Sequence, residues 1–135
     1  MPTPELKLTI PLRYRDLDTL GHLNQAVYHE LLEDARGALL STIEGNRHEA
    51  WVLARVELDY RAEVRNDHSP VEVTSRVAEV GTKSITLEQE LLRADGTLAA
   101  AGRCVIVAWD NEQRTSRELT DAERDALTGT RAGTA

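Results

Sequence analysis

The stretch Ala26–Glu44, AVYHELLEDARGALLSTIE, decides the fold. Charged residues such as Glu33 and Asp34 separate its apolar positions, which recur every three to four residues. This spacing predicts an amphipathic helix of about five turns at 3.6 residues per turn. The Gly45-Asn46 pair that follows is a typical helix-stop signal. The apolar positions are Val27, Tyr28, Leu31, Leu32, Ala35, Leu39 and Ile43.

On both sides of this helix, apolar and polar residues alternate with the period of a β-strand. The alternation is clearest in Val52–Val64, where Val52, Ala54, Val56, Leu58, Tyr60, Ala62 and Val64 share one face. Pro11 favours an edge position for the first strand, because proline donates no ladder hydrogen bond. The predicted strands are Leu6–Tyr14, Val52–Val64, Val71–Val80, Ile85–Leu92 and Leu98–Trp109.

The links between the last four strands are short, and Asp95-Gly96 is a strong hairpin signal. Strands joined in this way form an antiparallel sheet. The sequence therefore predicts an α+β fold, in which a five-stranded antiparallel sheet curls around one long helix. The strands then need a cover for their second face, most simply another copy of the chain.

The C-terminal part contains one further helix signal. Thr120-Asp121-Ala122-Glu123 has the form of a capping box, which predicts a short helix that begins there. Residues after it are small and polar, as in a frayed tail. We expect one domain over residues 1–128 and a flexible tail over residues 129–135, since 135 residues leave no room for a second domain of ordinary size.

Composition limits the partners of the chain. No segment approaches the roughly 20 apolar residues of a membrane span, and the N-terminus lacks a secretory signal pattern. The net charge is −7 without a block of Lys or Arg, which argues against nucleic acid. Cys104 is the single cysteine, so no internal disulfide forms, and a cytoplasmic location is expected.

The turn-rich segment before the long helix is the candidate for chemistry. Asp18 lies just ahead of the helix, and Gly21 allows the backbone to approach a ligand closely. The first amides of a helix have no internal partner and can polarise a carbonyl oxygen. A nearby carboxylate can attack that carbon or activate water. The same residue type is also a common helix cap or turn former, and the pattern alone leaves both roles open.

The motif Asp18-x-x-Gly21-His22-x-Asn24, followed by Tyr28 and Glu33-x-Ala35-Arg36, resembles the signature of the hotdog-fold thioesterases. Within that family, the sequence is most similar to the acyl-CoA thioesterases that resemble 4-hydroxybenzoyl-CoA thioesterase. The resemblance extends over roughly residues 6–110. It implies a sheet wrapped around a central helix, an acyl-CoA or acyl-carrier-protein thioester as substrate, no cofactor, and a homodimer or homotetramer whose active site is shared between two subunits.

The resemblance also implies a set of site residues. Asp18 corresponds to the catalytic carboxylate, which acts as nucleophile or general base, and the Gln25 amide to the donor for the thioester carbonyl. His22 and Asn24 lie where family members place residues that shape the site or position water. Substrate contacts are expected from Gly21, Tyr28, Tyr60, Lys83 and Ser84.

Other residues and other functions compete with this hypothesis. His29 and Glu33 are spaced i, i+4 on one helix face, but no second pair completes a metal site, so none is expected. Cys104 alternates within a strand of small residues and is expected to be a packing residue. The two rival functions are a hotdog hydratase or dehydratase of enoyl thioesters and a non-catalytic acyl-CoA-binding module.

Overall fold

The computed structural model of the chain describes residues 4–43 and 51–129. Short 3₁₀ turns at Tyr14–Asp16 and Asn66–His68 join the main elements. In chain order, these are β1 (Glu5–Ile10), α1 (Gln25–Ser41), β2 (Trp51–Tyr60), β3 (Val71–Val80), β4 (Ser84–Leu92), β5 (Leu98–Asp110), β6 (Thr115–Ser116) and α2 (Asp121–Thr128).

The strands form one sheet in the order β1-β3-β4-β5-β2, and the two-residue β6 extends it by pairing with β5. Every pair of neighbouring strands is antiparallel. Helix α1 packs on the inner face, mainly against β1 and β3. The predicted α+β fold with a five-stranded antiparallel sheet around one long helix is therefore confirmed.

Helix α1 forms for the reasons visible in its sequence. The side chain of Asn24 caps its first turn, and the apolar stripe from Tyr28 to Leu39 is buried. At the other end the backbone N–H of Thr42 donates to the carbonyl of Leu39, 3.1 Å away. The helix ends at Ser41, three residues before the predicted end at Glu44. Glu44 itself and the stop signal Gly45-Asn46 lie outside the described residues.

The first strand is shorter than predicted. It occupies an edge of the sheet, as Pro11 indicated, but it ends at Ile10. Leu12 donates its backbone N–H to Ser69 Oγ at 2.9 Å instead of to a neighbouring strand. Tyr14, predicted to be its last apolar position, opens a 3₁₀ turn and is 92% exposed. Apolar and polar residues still alternate after Ile10, but Pro11 has no N–H to donate, so the ladder of hydrogen bonds ends there.

Strand β2 also departs from its prediction in two places. A β-bulge between Leu53 and Arg55 shifts the register, so Leu53, rather than Val52 or Ala54, pairs with the inward-facing Ile106 of β5. The strand then ends at Tyr60. Arg61 and Ala62 still donate their N–H groups to the carbonyl of Ala99 in β5, and the chain leaves the sheet before Val64. A period-two pattern cannot reveal a bulge, since one inserted residue reverses the facing of everything before it.

The hairpin between β4 and β5 follows the prediction. Gly96 has φ +86°, a left-handed conformation that favours glycine. Its N–H donates to the carbonyl of Arg93 at 2.8 Å, and the side chain of Asp95 accepts from the N–H of Thr97 at 3.0 Å. The turn thus satisfies its own backbone groups.

Two apolar clusters fill the space between helix and sheet. The first surrounds Tyr28 and includes Leu23 and Val64, whereas the second contains Leu39 and Leu127 of α2. The predicted capping box of α2 is present, with reciprocal hydrogen bonds between Thr120 and Glu123. Gly129 follows in the left-handed conformation, and the rest of the predicted tail, residues 130–135, lies outside the described residues.

A buried polar group lies between these clusters. The guanidinium of Arg36 donates to Gln89 Oε1 at 3.2 Å, and Gln89 Nε2 donates to the Leu32 carbonyl at 3.0 Å and to Ser75 Oγ at 2.8 Å. Cys104 lies beside them and is buried, in agreement with its predicted packing role. Burial raises the pKa of its thiol, although the charge of Arg36 acts in the opposite direction.

None of the helices in the described part of the chain has the length and apolar character that a membrane span requires.

Candidate active site

The turn that carries Asp18 is held by its own backbone. The N–H of Asp18 donates to the carbonyl of His22 at 2.8 Å, and the N–H of Gly21 donates to the carbonyl of Asp18 at 3.0 Å. Gly21 has φ +77°, so a residue with a side chain would be strained there. Asp18 Oδ1 accepts from the amides of Leu20 at 2.8 Å and His22 at 3.1 Å. The carboxylate is therefore oriented while its side chain remains exposed to solvent.

Two contacts fasten this turn to the rest of the fold. The N–H of Leu23 donates to the carbonyl of Val64 at 2.7 Å, and His22 forms an antiparallel bridge with Arg65. Leu23 and Val64 are both buried in the cluster around Tyr28. The segment after β2 leaves the sheet in order to make these contacts, which explains why the strand ends earlier than predicted.

Asp16, which the sequence did not single out, is a buried carboxylate two residues before Asp18. It is 2% exposed, and its carboxylate accepts from the backbone N–H of Arg13 at 2.8 Å and from that residue's guanidinium at 2.9 Å. Burial opposes ionisation of Asp16, but the hydrogen bonds from Arg13 outweigh it, so its pKa is lowered. The sequence signal for this contact was the pair of opposite charges Arg13 and Asp16, three residues apart. Such pairs are usually exposed, so the signal did not predict a buried carboxylate.

The N-terminus of α1 opens toward Asp18. Asn24 Oδ1 accepts from the N–H of Ala26 at 2.9 Å, which is an N-cap interaction. The hydrogen bonds found among residues 4–43 and 51–129 leave the backbone N–H of Gln25 without an acceptor. A free amide at the positive end of the helix dipole is suited to bind a carbonyl oxygen. The structure thus gives Asn24 a capping role, and the N–H of Gln25 lies next to that cap.

These groups line a pocket of about 440 Å³. The rings of Tyr28 and Tyr60 meet edge to face on its wall, with centroids 5.0 Å apart. Burial, with a smaller contribution from Tyr60, raises the pKa of the Tyr28 hydroxyl. A larger groove of about 580 Å³ beside Trp51 does not include the Asp18 turn. The pocket is lined by Asp18, His22, Leu23, Gln25 and Tyr28 on one side and by residues 60–64 on the other.

The structure brings most of the predicted residues together, but not all. Gly21 shapes the turn and Asn24 caps the helix, and neither lines the pocket. Lys83 and Ser84 lie at the far end of β4. Ser84 pairs with Val107 of β5, whereas Tyr60 pairs with Ala100, a separation of about 23 Å at 3.3 Å per residue. Within one chain, the Lys83 loop therefore does not reach Asp18.

Two charged residues of the pocket were missed by the sequence analysis. Arg61 and Glu63 lie in the three residues after Tyr60, and both line the cavity. In an alternating pattern they look like the solvated face of a strand. The available signal was the cluster of charges at the end of the predicted strand, where a chain usually turns.

Comparisons with known proteins identify the family. The family model of the thioesterase-like superfamily matches residues 12–127. The chain belongs to the thioesterase-like superfamily. The predicted hotdog-thioesterase resemblance is therefore confirmed, and with it the prediction of a thioester hydrolase. The matched residues include the Asp18 turn, both tyrosines of the pocket and all strands after α1.

Solved structures of this superfamily share the fold. The thioesterase of Thermus thermophilus, solved with coenzyme A and zinc, is 28% identical with a TM-score of 0.84, and the match covers 95% of this chain and 94% of that one. The 4-hydroxybenzoyl-CoA thioesterase of Pseudomonas sp. strain CBS-3 is 13% identical with a TM-score of 0.81, and the match covers 91% of this chain and 99% of that one.

The YsmA protein of Bacillus subtilis (strain 168) is similar in sequence. It is 24% identical over 125 residues, which are 90% of this chain and 84% of YsmA.

The Thermus thermophilus structure also contains zinc. Residues 4–43 and 51–129 contain no group of three or more His, Cys, Asp or Glu side chains placed to hold a metal. His29 and Glu33 are exposed on α1, without a third ligand in that part of the chain.

Proposed function

We propose that this chain hydrolyses acyl-CoA thioesters with Asp18 as the catalytic carboxylate. One observation supports this above the others: an oriented carboxylate, a free helix-terminal amide and a tyrosine-walled pocket share one cavity. Coenzyme A in the Thermus structure supports CoA as the thiol part of the substrate. A pocket of about 440 Å³ is large enough for an acyl group but small for a whole CoA molecule. The nucleotide then lies outside the pocket.

In this mechanism the thioester carbonyl oxygen binds to the N–H of Gln25 at the start of α1. Asp18 either attacks the carbonyl carbon or removes a proton from a water molecule that attacks it. The electron pair of the C=O bond moves to the oxygen, where the amide and the helix dipole stabilise the negative charge. When the carbonyl re-forms, the C–S bond breaks and CoA leaves as a thiolate, which takes up a proton. Attack by Asp18 itself gives an anhydride that a water molecule then hydrolyses.

The remaining predicted residues have distinct roles in this proposal. His22 lies at the mouth of the pocket beside the attack site, and Asn24 fixes the helix terminus through its cap. Tyr28 and Tyr60 contact the acyl group. Lys83 and Ser84, which do not reach Asp18 within one chain, contact the nucleotide from a second copy.

The test is a coupled thiol-release assay with acyl-CoA substrates of increasing length and an aromatic acyl-CoA. An enoyl-CoA hydration assay and an acyl-carrier-protein substrate serve as comparisons. We expect thiol release that saturates with at least one acyl-CoA and no hydration of enoyl-CoA. Hydration without thiol release would support the hydratase alternative. Binding of acyl-CoA without either reaction would support the non-catalytic module.

The proposal includes a homodimer or a larger homo-oligomer. Strand β2 ends the sheet, and its edge exposes Val52, Leu53, Val56 and Tyr60. An exposed apolar edge strand is a template for pairing with another chain. Light scattering at micromolar concentration is expected to give two or four times the chain mass of 15.0 kDa. A monomer under these conditions would contradict the shared site.

A charge placed on that edge tests the surface directly. Leu53→Lys is expected to shift the mass toward the monomer and to reduce thiol release, because an incomplete site lacks the second copy's contacts. Tyr14→Lys is the matched control, since Tyr14 is more exposed but lies away from β2. If light scattering showed the same shift toward the monomer mass in both variants, the β2 edge would not be the contact between copies.

A further inference from the structure

A charged triplet lies at the mouth of the pocket. His22 Nε2 is 3.0 Å from Glu63 Oε2, and Arg65 Nε is 3.3 Å from Glu63 Oε1. Arg65 also approaches Asp67 Oδ2 at 3.4 Å. Glu63 therefore contacts the imidazole with one oxygen and a fixed cation with the other. Of these residues, His22 and Glu63 line the same pocket as Asp18.

The backbone fixes the two partners relative to each other. The His22–Arg65 bridge and the Leu23–Val64 hydrogen bond of 2.7 Å join the Asp18 turn to the segment after β2. Arg93 Nη1 donates a further hydrogen bond of 3.1 Å to the Glu63 carbonyl. The His22 and Glu63 side chains thus extend from two segments whose backbones are joined to each other, and this places the two side chains within contact distance.

Stability does not explain the triplet. The side chains of His22 and Glu63 are 39% and 46% exposed, and pairs with this exposure contribute little to folding. A half-exposed imidazole without a partner also rotates freely, so it presents its nitrogens to the pocket only part of the time. A carboxylate at Nε2 favours the ring orientation with a proton on that nitrogen, which leaves Nδ1 as the acceptor.

We propose that Glu63 is a positioning residue that acts through His22 in the thioester hydrolysis proposed above. Glu63 holds the imidazole at the mouth of the pocket, and Arg65 holds Glu63. His22 then orients the attacking water beside Asp18 through Nδ1. The inference rests on the proposed function, because a positioned imidazole has a measurable consequence only if the site hydrolyses thioesters.

The experiment compares Glu63→Ala, Glu63→Gln, His22→Ala and the double variant Glu63→Ala/His22→Ala with the full-length wild-type protein. We expect Glu63→Ala to lower kcat by about 10- to 100-fold with KM nearly unchanged, since misplaced reacting groups cost rate of that order. Glu63→Gln retains an acceptor oxygen and should recover part of the loss. The double variant should be no slower than His22→Ala alone, because the effect of Glu63 passes through His22.

Asp67→Asn is the matched control, since it removes the other carboxylate beside Arg65 without touching the pocket. Its kcat and melting temperature should equal those of the wild type. The melting temperature of Glu63→Ala should change by no more than about 2 °C, as expected for an exposed pair. A fall in melting temperature that parallels the fall in kcat would overturn the inference in favour of a structural role.

A second measurement does not depend on activity. In nitrogen-15 NMR spectra the ring of His22, assigned by its loss in His22→Ala, should change its tautomer signature in Glu63→Ala and keep it in Asp67→Asn. An unchanged ring signature, an unaffected kcat in either single variant, or an additive double variant would overturn the inference. These outcomes are distinct from failure of the proposed function, in which the wild-type protein itself would release no thiol.

Discussion

Asp18→Asn is expected to lower thiol release by about 100- to 10,000-fold while the melting temperature stays nearly unchanged. Asparagine keeps an oxygen that can accept from the amides of Leu20 and His22, so the turn retains its shape. It cannot form an anhydride or take a proton from water. KM should remain close to that of the wild type, because the Gln25 amide and the tyrosine walls of the pocket are untouched.

Asp16 provides the contrasting variant two residues away. Asp16→Asn leaves the pocket lining intact but removes a buried charge from the Arg13 guanidinium, so its main effect should be on melting temperature. Thermal unfolding and steady-state kinetics on both variants separate the two roles. Turnover of Asp18→Asn above about a tenth of the wild-type value would defeat its assignment and make His22 the next candidate base.

Labelled water then distinguishes the two chemical routes that remain open for Asp18. In a single turnover in oxygen-18 water, label found in the Asp18 carboxylate indicates a covalent acyl-aspartate. Label confined to the released acid is expected from direct attack by activated water or from hydrolysis of the anhydride at its acyl carbonyl, whereas label in Asp18 arises only from the anhydride.

Gly102→Ala is expected to be strongly destabilising, by about 3 kcal/mol or roughly 10 °C in melting temperature. Strand β5 approaches β2 so closely at this point that an added Cβ would lie 2.0 Å from the backbone oxygen of Glu57. A backbone atom cannot rotate away, so the two strands must separate. Because β2 carries Tyr60 to the pocket, thiol release should fall as well.

Gly81→Ala is the control for the loss of a glycine as such. There the added Cβ would lie 3.2 Å from Ser84 Oγ and 3.3 Å from the Ser84 carbonyl, contacts that a small shift relieves. Its melting temperature should fall by less than about 3 °C, which corresponds to less than about 1 kcal/mol. Equal melting of the two variants would show that crowding between β2 and β5 is not the limiting feature.

The sequence predicted those parts of the fold in which a local pattern matched the tertiary environment. Val71–Val80 is a strand with the predicted bounds, and α1 lies within a residue of its predicted start, because burial on one face of each element follows the period of its backbone. The bulge at Leu53, the end of β2 at Tyr60 and the crowding at Gly102 depend on neighbouring strands. No window of sequence contains that information.

The candidate site divides in the same way. The turn around Asp18 was predicted because Gly21 and the turn-forming residues around it impose a local geometry, whatever lies nearby. The Asn24 cap was found only in the structure. Glu63 enters the pocket only because Val64 leaves the sheet to bind Leu23, a contact between residues far apart in sequence. Asp16 and Asp18 look alike in the sequence, and only the folded chain buries the first and exposes the second.

The two apolar clusters place the pocket and the C-terminal helix at opposite ends of α1. Tyr28 belongs to one cluster and Leu39, beside Leu127 of α2, to the other, a separation of about 16 Å along the helix axis at 1.5 Å per residue. A support or reporter attached at Gly129 therefore lies at the end of the molecule away from the pocket. Molecules immobilised on a sensor surface through that residue keep their pockets away from the surface.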